Sequence, residues 1–422
     1  MMEFAIMGDA CYSSEHTNMA KGERQYSMAA NWWETLTELV TTLEERRIDY
    51  TILNRAALYA QGALEEVPRT IDISIQWDLF AHAHELLPSG SITHEGNTAR
   101  FSFRKQPFRV TLSCQYNTVV ATDPDRLRIE HAGRHFWVKA PDYYVRTLSP
   151  EDELVRVIKA YWQRLQEQNN RLNMQAWNQD TYDAWLARFG SPQEAAQRIL
   201  KDPRGRLGSL VHHLPEVQGK KIINLLGSHG AKAIALAQLG ARATVVDISE
   251  GNARYARDVA QAAGVDLRYI VSDVLSLPES ELDASYDLVL LELGVLHYFV
   301  DLEPLFSIIK RLLRPGGLLL LQDFHPISTK LIISKGAKHK VKGNYFDKAL
   351  ITKPVALSKH LPTGEQENAP IVYQRQWTLG EVVTAVATSD LIISSLDEEP
   401  NPKLDDIGIP KLFTLTARNA TP

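Results

Sequence analysis

The chain has 422 residues, 44% hydrophobic and 23% charged, with a formal net charge of −5; this is an ordinary soluble mixture, too long for one average core, so two domains are expected. The acidic balance gives no electrostatic case for gripping nucleic acid as a whole, and no apolar run approaches the length of a membrane span. The N-terminal residues have neither a basic start nor a long apolar core, and the two cysteines, Cys11 and Cys114, stand far apart without a partner motif. A cytoplasmic, reducing compartment without a cysteine-based zinc site is the expectation.

Residues 31–148 read as helix Trp32–Arg46, strand Tyr50–Leu53, helix Ala56–Ala63, strand Thr70–Gln76 and helix Leu79–Leu87. The short strands Ser91–Thr93, Thr98–Phe103, Phe108–Ser113 and His135–Val138 follow. Helices and strands mixed in this way predict a smaller α+β domain over 1–149. The segment Ile52–Trp77 resembles the core of small nucleotidyltransferase-fold proteins. Such enzymes hold a triphosphate on a Gly-Gly or Gly-Ser turn, and magnesium on two aspartates at alternate positions of one strand. Here the turn is Asn54-Arg55, the pair is Asp72 with Ser74, and Arg109–Ser113 adds no third carboxylate. No metal site is expected. The resemblance implies a degenerate, non-catalytic domain kept for substrate binding or assembly; the alternative is an unrelated α+β fold with Asp72 as a strand-edge polar residue.

A helical segment over 150–174 follows, with Leu154, Val155, Ile158, Tyr161, Trp162 and Leu165 recurring at three and four behind the start signal Ser149-Pro150-Glu151-Asp152. It reads as a linker to a second domain over 175–422. There an apolar strand from Lys221 meets a Gly-bearing turn, an Ala/Leu-rich helix and a second strand ending in Asp247. A strand, Gly turn and helix start bring backbone N–H groups to a nucleotide cofactor, and a strand-end carboxylate accepts ribose hydroxyls. Leu267–Val271 then stops at Ser272-Asp273-Val274, and Tyr286–Leu291 passes into Glu292 and the stretch to His297-Tyr298. After Leu302–Leu313 come Arg314-Pro315-Gly316-Gly317, strand Leu318–Leu321 and Gln322-Asp323-Phe324-His325.

This succession, over roughly 175–418 by pattern, resembles the class I S-adenosylmethionine-dependent methyltransferases. The resemblance implies an α/β fold with a Rossmann-like seven-stranded sheet and S-adenosylmethionine as cofactor. It places Asp247 with Ile248 at the ribose, Asp273 with Val274 at the adenine, and Glu292 beside the methyl donor. The family's first loop carries an acid and three alternating glycines. The match here is Asn224-Leu225-Leu226-Gly227-Ser228-His229-Gly230, with only the last glycine in place and Asn224 unable to supply charge. Asn224, Gly227, Ser228 and Gly230 are the expected loop contacts. An NAD enzyme fits less well, because G-x-G-x-x-G is absent.

For acceptor chemistry the expected base is His325, then His297, with Trp177, Tyr182 and Tyr298 against the substrate; Trp185 and Phe189 read as packing. The bland alternatives are turn-forming aspartates and, for His297 and Tyr298, plain packing. Between the fifth strand and the helix near Thr378, residues Thr329–His360 carry eight lysines against Asp347 as the only acid. Among them Lys338 and Lys340 are expected to cover an anionic small-molecule acceptor. Two other readings remain open: an RNA methyltransferase that uses the N-terminal domain to bind, and a non-catalytic scaffold that has lost the cofactor. The identity of the acceptor and the oligomeric state are not legible.

Overall fold

The computed structural model describes residues 9–335, 338–360, 369–401 and 408–420; Cys11, Lys335 and Lys338 are placed by backbone alone, their side chains lying outside the described ones. The chain divides into two compact units, residues 1–161 and 162–422. Among the described residues no helix is long and apolar enough to cross a membrane.

The first unit contains helices α1 (Asp9–Glu45), α2 (Asn54–Ala60), α3 (Phe80–Leu86) and α4 (Pro141–Thr147). Its strands are β1 (Tyr50–Leu53), β2 (Thr70–Ile75), β3 (Thr93–Glu95), β4 (Thr98–Lys105), β5 (Phe108–Gln115), β6 (Arg126–His131) and β7 (Arg134–Lys139). They form one sheet in the order β3-β4-β5-β2-β1-β7-β6. Period-2 alternation builds it: Ile71, Ile73 and Ile75 enter a core with Trp32, Leu36 and Val40 of α1, while Thr70, Asp72 and Ser74 face away. Helix α1 begins well before Trp32, through a stretch with no apolar periodicity to signal it. Strand β6 went unpredicted because Arg126, Arg128 and Glu130 mask its alternation. It returns as β7 through Ala132 and Gly133, both at positive φ, the geometry a two-residue hairpin demands. Asp72 accepts a hydrogen bond from Asn54 Nδ2 at 3.2 Å. Among the described residues no cluster of three or more His, Cys, Asp or Glu is arranged to hold a metal ion.

Helix α5 (Glu153–Asn178) runs across the division. In the second unit α6 (Thr181–Phe189), α7 (Pro192–Lys201) and α8 (Pro203–Leu207) precede β8 (Lys221–Leu225), α9 (Ala231–Gln238), β9 (Arg242–Asp247), α10 (Glu250–Ala263) and β10 (Leu267–Val271). Next come β11 (Tyr286–Glu292), α11 (Glu303–Leu312), β12 (Leu313–Phe324) and two small paired ribbons, β13 (Ile332–Lys335) with β14 (Lys338–Val341) and β15 (Leu350–Pro354) with β16 (Ile371–Arg375). Helix α12 (Leu379–Thr388), β17 (Leu391–Pro400) and β18 (Pro410–Asn419) end the unit.

Seven strands form a mixed sheet, β10-β9-β8-β11-β12-β18-β17, in which the first five are parallel and β18 runs antiparallel to both neighbours. The near-continuous apolar strands are explained by burial on both faces. Ile222, Leu288, Leu290 and Leu320 pack toward α7, α9 and α10, whereas Ile223, Val289, Leu291 and Leu321 pack toward α11 and α12. The expected turn at Arg314-Pro315-Gly316-Gly317 is absorbed into β12 as an irregularity. Tyr286 pairs with Leu313 and Leu288 with Leu318, so one residue faces four. Gly317 is required there, because a Cβ would lie 2.9 Å from Arg314 O and 3.0 Å from Tyr286 O. Strand order reverses between β8 and β11, and the carboxyl ends of strands at such a switch point are where open α/β sheets hold ligands.

The Trp377–Glu381 segment starts α12. Thr378 Oγ1 accepts from Glu381 N at 3.2 Å, and the Glu381 carboxylate accepts from Thr378 N at 2.8 Å, a reciprocal cap. Replacing Thr378 with Ala should lower the unfolding free energy of the chain by about 1 kcal/mol. Urea denaturation checks this, and an unchanged midpoint would mean that solvent satisfies the helix start equally well.

Candidate active site

The β8–α9 loop rests on three alternate residues in the left-handed region, Leu226 (φ 49°), Ser228 (φ 49°) and Gly230 (φ 71°). Two of them have side chains and so store strain. Gly227 sits where a Cβ would come within 2.7 Å of Asn224 Oδ1 and 2.9 Å of Val245. The loop therefore needs its glycine at 227, a position the family's alternating pattern leaves to another residue.

Asp247, at the end of β9, fixes this loop. Its Oδ2 accepts from Ser228 N at 3.0 Å, and its Oδ1 from Ser249 N and Asn252 Nδ2, both at 3.0 Å. Trp185 Nε1 donates to Asn252 Oδ1 at 2.7 Å. An indole only donates, so it turns the Asn252 amide NH₂ toward the carboxylate. Burial lifts the Asp247 carboxyl above its ordinary value, and the hydrogen bonds from Asn252, Ser249 and Ser228 work against that rise. The Ile248 backbone N–H also faces the carboxylate; of the bonds with a defined oxygen, two fall on Oδ1 and one on Oδ2, so Oδ2 is the oxygen with more room for a ligand hydroxyl.

Asp273 follows β10. Its Oδ1 caps Leu275 N at 3.0 Å, and its Oδ2 accepts from Asn170 Nδ2 at 2.5 Å. At the end of β11, Glu292 is ion-paired with Lys232 of α9. Arg206 stands near, its guanidinium lowered by burial and held up by the charge of Glu292. Asp323, at the end of β12, accepts from Gly294 N at 2.6 Å, Leu296 N at 3.2 Å and Phe324 N at 2.7 Å. It holds the loop through Leu293 (φ 41°) and Gly294 (φ 81°) that leads to His297.

These groups enclose a cavity of about 540 Å³ at the carboxyl edge of β8 to β11, lined by Gly227, Ser228, Asp247, Ile248, Asp273, Val274 and Glu292, and by Trp177, His297 and Tyr298. Trp177 Nε1 donates to Tyr298 Oη at 3.1 Å, and burial raises the Tyr298 hydroxyl well above its ordinary value.

Residues 226–321 match a family model described as a methyltransferase domain. That stretch holds the β8 loop, Asp247, Asp273, Glu292, His297 and β12 up to Leu321. Residues 226–321 are similar to a methyltransferase domain.

Among curated proteins, the chain is 32% identical over 133 residues to a demethylmenaquinone methyltransferase of Thermus thermophilus, covering 31% of this chain and 56% of that protein. It is 31% identical over 153 residues to a 27-O-demethylrifamycin SV methyltransferase of Amycolatopsis mediterranei, covering 36% and 53%. The chain thus spans about half the length of the curated relatives it matches. A solved S-adenosylmethionine-dependent methyltransferase of Mesorhizobium loti aligns with 52% of this chain and 99% of its own, at 22% identity and a TM-score of 0.39.

The structure departs from the sequence reading at several residues. Asn224 and Gly230 do not line the cavity: Asn224 is buried beneath Gly227, donating to Leu290 O at 3.3 Å, and Gly230 packs on Ala256. Tyr182 points away from it, donating to Asp258 Oδ2 at 2.7 Å against α10. His325 is also outside. It is buried, with Nε2 2.6 Å from Glu398 Oε1 and Nδ1 accepting from Ile327 N at 3.2 Å, because strand alternation sends Phe324, not His325, to the cavity. Lys340 lies exposed on β14 and does not line this cavity, and the Lys338 side chain is outside the described ones. Lys359 lines the cavity in their place. Lys330 is buried, donating to Asp347 O at 2.6 Å and Gln376 O at 2.8 Å, and burial lowers it to about 8.

Other wall residues were missed. Asn170 and Asn173 lie on the segment read as a linker, and Trp185 was read as packing; Arg206 and Lys232 carried no motif. All five line the cavity. A cation placed by one helix turn among many surface cations has no signature in sequence.

Burial, together with the charge of Lys353, holds the His297 imidazole down to about 3. Between that value and the ordinary 6.5 the unfolded chain takes up a proton that the folded chain refuses, so this contribution to stability is lost as pH falls through the window. The thermal midpoint of His297→Gln should therefore gain on that of the wild type as pH drops from about 7 to about 5. A difference independent of pH would place the ring in solvent.

Proposed function

We propose that residues 162–422 transfer a methyl group from S-adenosylmethionine to a small molecule. The observation that carries this reading is the strained loop Leu226–Gly230, pinned to the strand-end carboxylate Asp247, in one cavity with a second strand-end acid, Asp273. The residues fit the cofactor. Asp247 Oδ2 has room for a ribose hydroxyl, Asp273 with the backbone at Val274 faces the place of the adenine, and Lys232, Arg206 and Glu292 offer both charges to a zwitterionic amino-acid end. When bound, the cofactor supplies a methyl group already activated on a sulfonium, so the protein's work is alignment and exclusion of water. Trp177, Trp185 and Tyr298 wall the cavity for the second task. The names of the curated relatives, which include a ubiquinone biosynthesis O-methyltransferase of Idiomarina loihiensis, 27% identical over 136 residues, support a small organic acceptor. Lys359 on the wall suits an anionic one.

Calorimetry on the full chain should find binding of S-adenosylmethionine and S-adenosylhomocysteine and none of NAD; the reverse would sink the assignment. Asp247→Ala should weaken S-adenosylhomocysteine roughly ten- to a hundredfold, the range of one hydrogen bond to a charged group. An unaltered affinity would remove Asp247 from the site.

For the first unit we propose a nucleotidyltransferase-like fold kept for substrate binding or assembly, with no nucleotidyl transfer, since Asp72 has Ser74 where a second metal-binding carboxylate is needed. Magnesium-dependent incorporation of labelled nucleotide that disappears in Asp72→Ala would overturn this.

A further inference from the structure

A second cavity, of about 270 Å³, lies against the first. His297, Phe324, Ala356 and Gln374 line both, so a molecule in one reaches the other across these four side chains. The remaining wall is largely apolar, with Trp377, Phe413, Val382 and Pro354, and its aromatic face is held rigid. Trp377 Nε1 donates to Leu296 O at 3.0 Å, and the Arg375 guanidinium stacks 3.8 Å from the ring centre while donating to Val300 O at 2.7 Å. Asp323, Thr329, Gln374 and Gln376 also line it, Asp323 with its carboxylate bonded to the backbone of Gly294, Leu296 and Phe324, and two further polar features bear on the chemistry. His297 Nε2 is buried without a hydrogen-bond partner among the described residues, and the Lys353 ammonium lines the same space close enough for its charge to act on the imidazole.

We infer that this second cavity is the acceptor chamber, and that it takes a small, planar, mostly apolar molecule whose acidic hydroxyl, phenolic or enolic, is presented to His297 Nε2. The inference rests on the methyltransferase reading above. A buried nitrogen left unpaired is costly, and a ligand hydroxyl is the donor that a neutral imidazole nitrogen lacks. In the transfer the acceptor oxygen gives its proton to Nε2, whose basicity, low in the empty site, is raised by the negative charge growing beside it, and an electron pair to the methyl carbon. The carbon–sulfur bond breaks, its pair returns to a now neutral thioether sulfur, and the imidazolium releases its proton to solvent. Lys353 stabilises negative charge growing on the oxygen, which favours a hydroxyl near the acidity of tyrosine, about 10, over an aliphatic alcohol. A protonated amine would meet the same cation as a like charge. The size suits a molecule of about one or two rings, toward the small end of ligand pockets.

The probe is 4-nitrophenol, whose neutral and ionised forms absorb differently, added to the full chain with and without S-adenosylhomocysteine. It should bind saturably and shift toward the phenolate at a pH where the free probe is mostly neutral. His297→Gln should abolish that shift while changing probe affinity only a few-fold. Thr329→Trp or Pro354→Phe, both at exposed positions of the rim, should abolish probe binding and leave S-adenosylhomocysteine affinity within a few-fold. If S-adenosylhomocysteine itself does not bind, the methyltransferase reading fails. If it binds but the probe does not saturate, if both filling variants still take the probe, or if the shift survives in His297→Gln, the chamber assignment is overturned.

Discussion

Two buried carboxylates, each at the end of a strand and each bonded to the backbone of the loop beside it, set the shape of the site. Asp247 on β9 reaches the loop after β8 through Ser228 N, and Asp323 on β12 reaches the loop after β11 through Gly294 N and Leu296 N. Strands β8 and β11 are the pair at which strand order reverses. The two loops that open the crevice are thus each tied down by a carboxylate from the strand outside it. Burial raises both acids, and backbone N–H donors oppose the rise. Each loop holds residues with side chains at positive φ, and such strain persists where surrounding bonds over-determine the backbone.

From that constraint the rest of the cavity follows. With Ser228 and Asp247 fixed, Asn252 and Trp185 complete a relay that orients the carboxylate, and Trp185 stacks on Phe189 at 5.6 Å. His229 lies between these rings and Arg206, and burial lowers it to about 3, so it stays neutral there. On the other side the Asp323 loop delivers His297 and Tyr298 to the wall. Desolvation thus acts on both histidines in the same direction. At neutral pH they are acceptors or donors of hydrogen bonds, and cations on the wall are supplied by lysine and arginine.

Much of this was legible before folding, wherever function sits at a position that periodicity fixes. Strand ends can be read from apolar runs, so Asp247, Asp273, Glu292 and the Gly227-Ser228 turn could be named in advance as neighbours, and the structure brings them to one cavity wall along with Ile248 and Val274. Trp177, His297 and Tyr298 line the same cavity, and each stands near a strand end or on the segment leading into the first strand. The readings that failed depended on one residue of phase or on a distant partner. His325 is one position beyond Phe324, the last residue of β12, and that single step reverses the face, and Tyr182 and Trp185 differ by less than a helical turn. Lys338 and Lys340 formed the densest part of a charge run, yet β14 carries them on a small ribbon of its own.

The sequence by itself determined the five parallel strands of the second unit, their succession along the chain and the acids at their ends, because these follow from apolar runs, helical period and turn chemistry within a few residues; the count of seven strands came only with the family resemblance. Tertiary structure alone decided which side chains face one another across the crevice. Asn170 meets Asp273 from 103 residues away, and Trp377 closes on Leu296 from 81 away. Such pairs depend on how α5 and the β15–β16 ribbon pack against the sheet, a property of the whole core that no local pattern encodes.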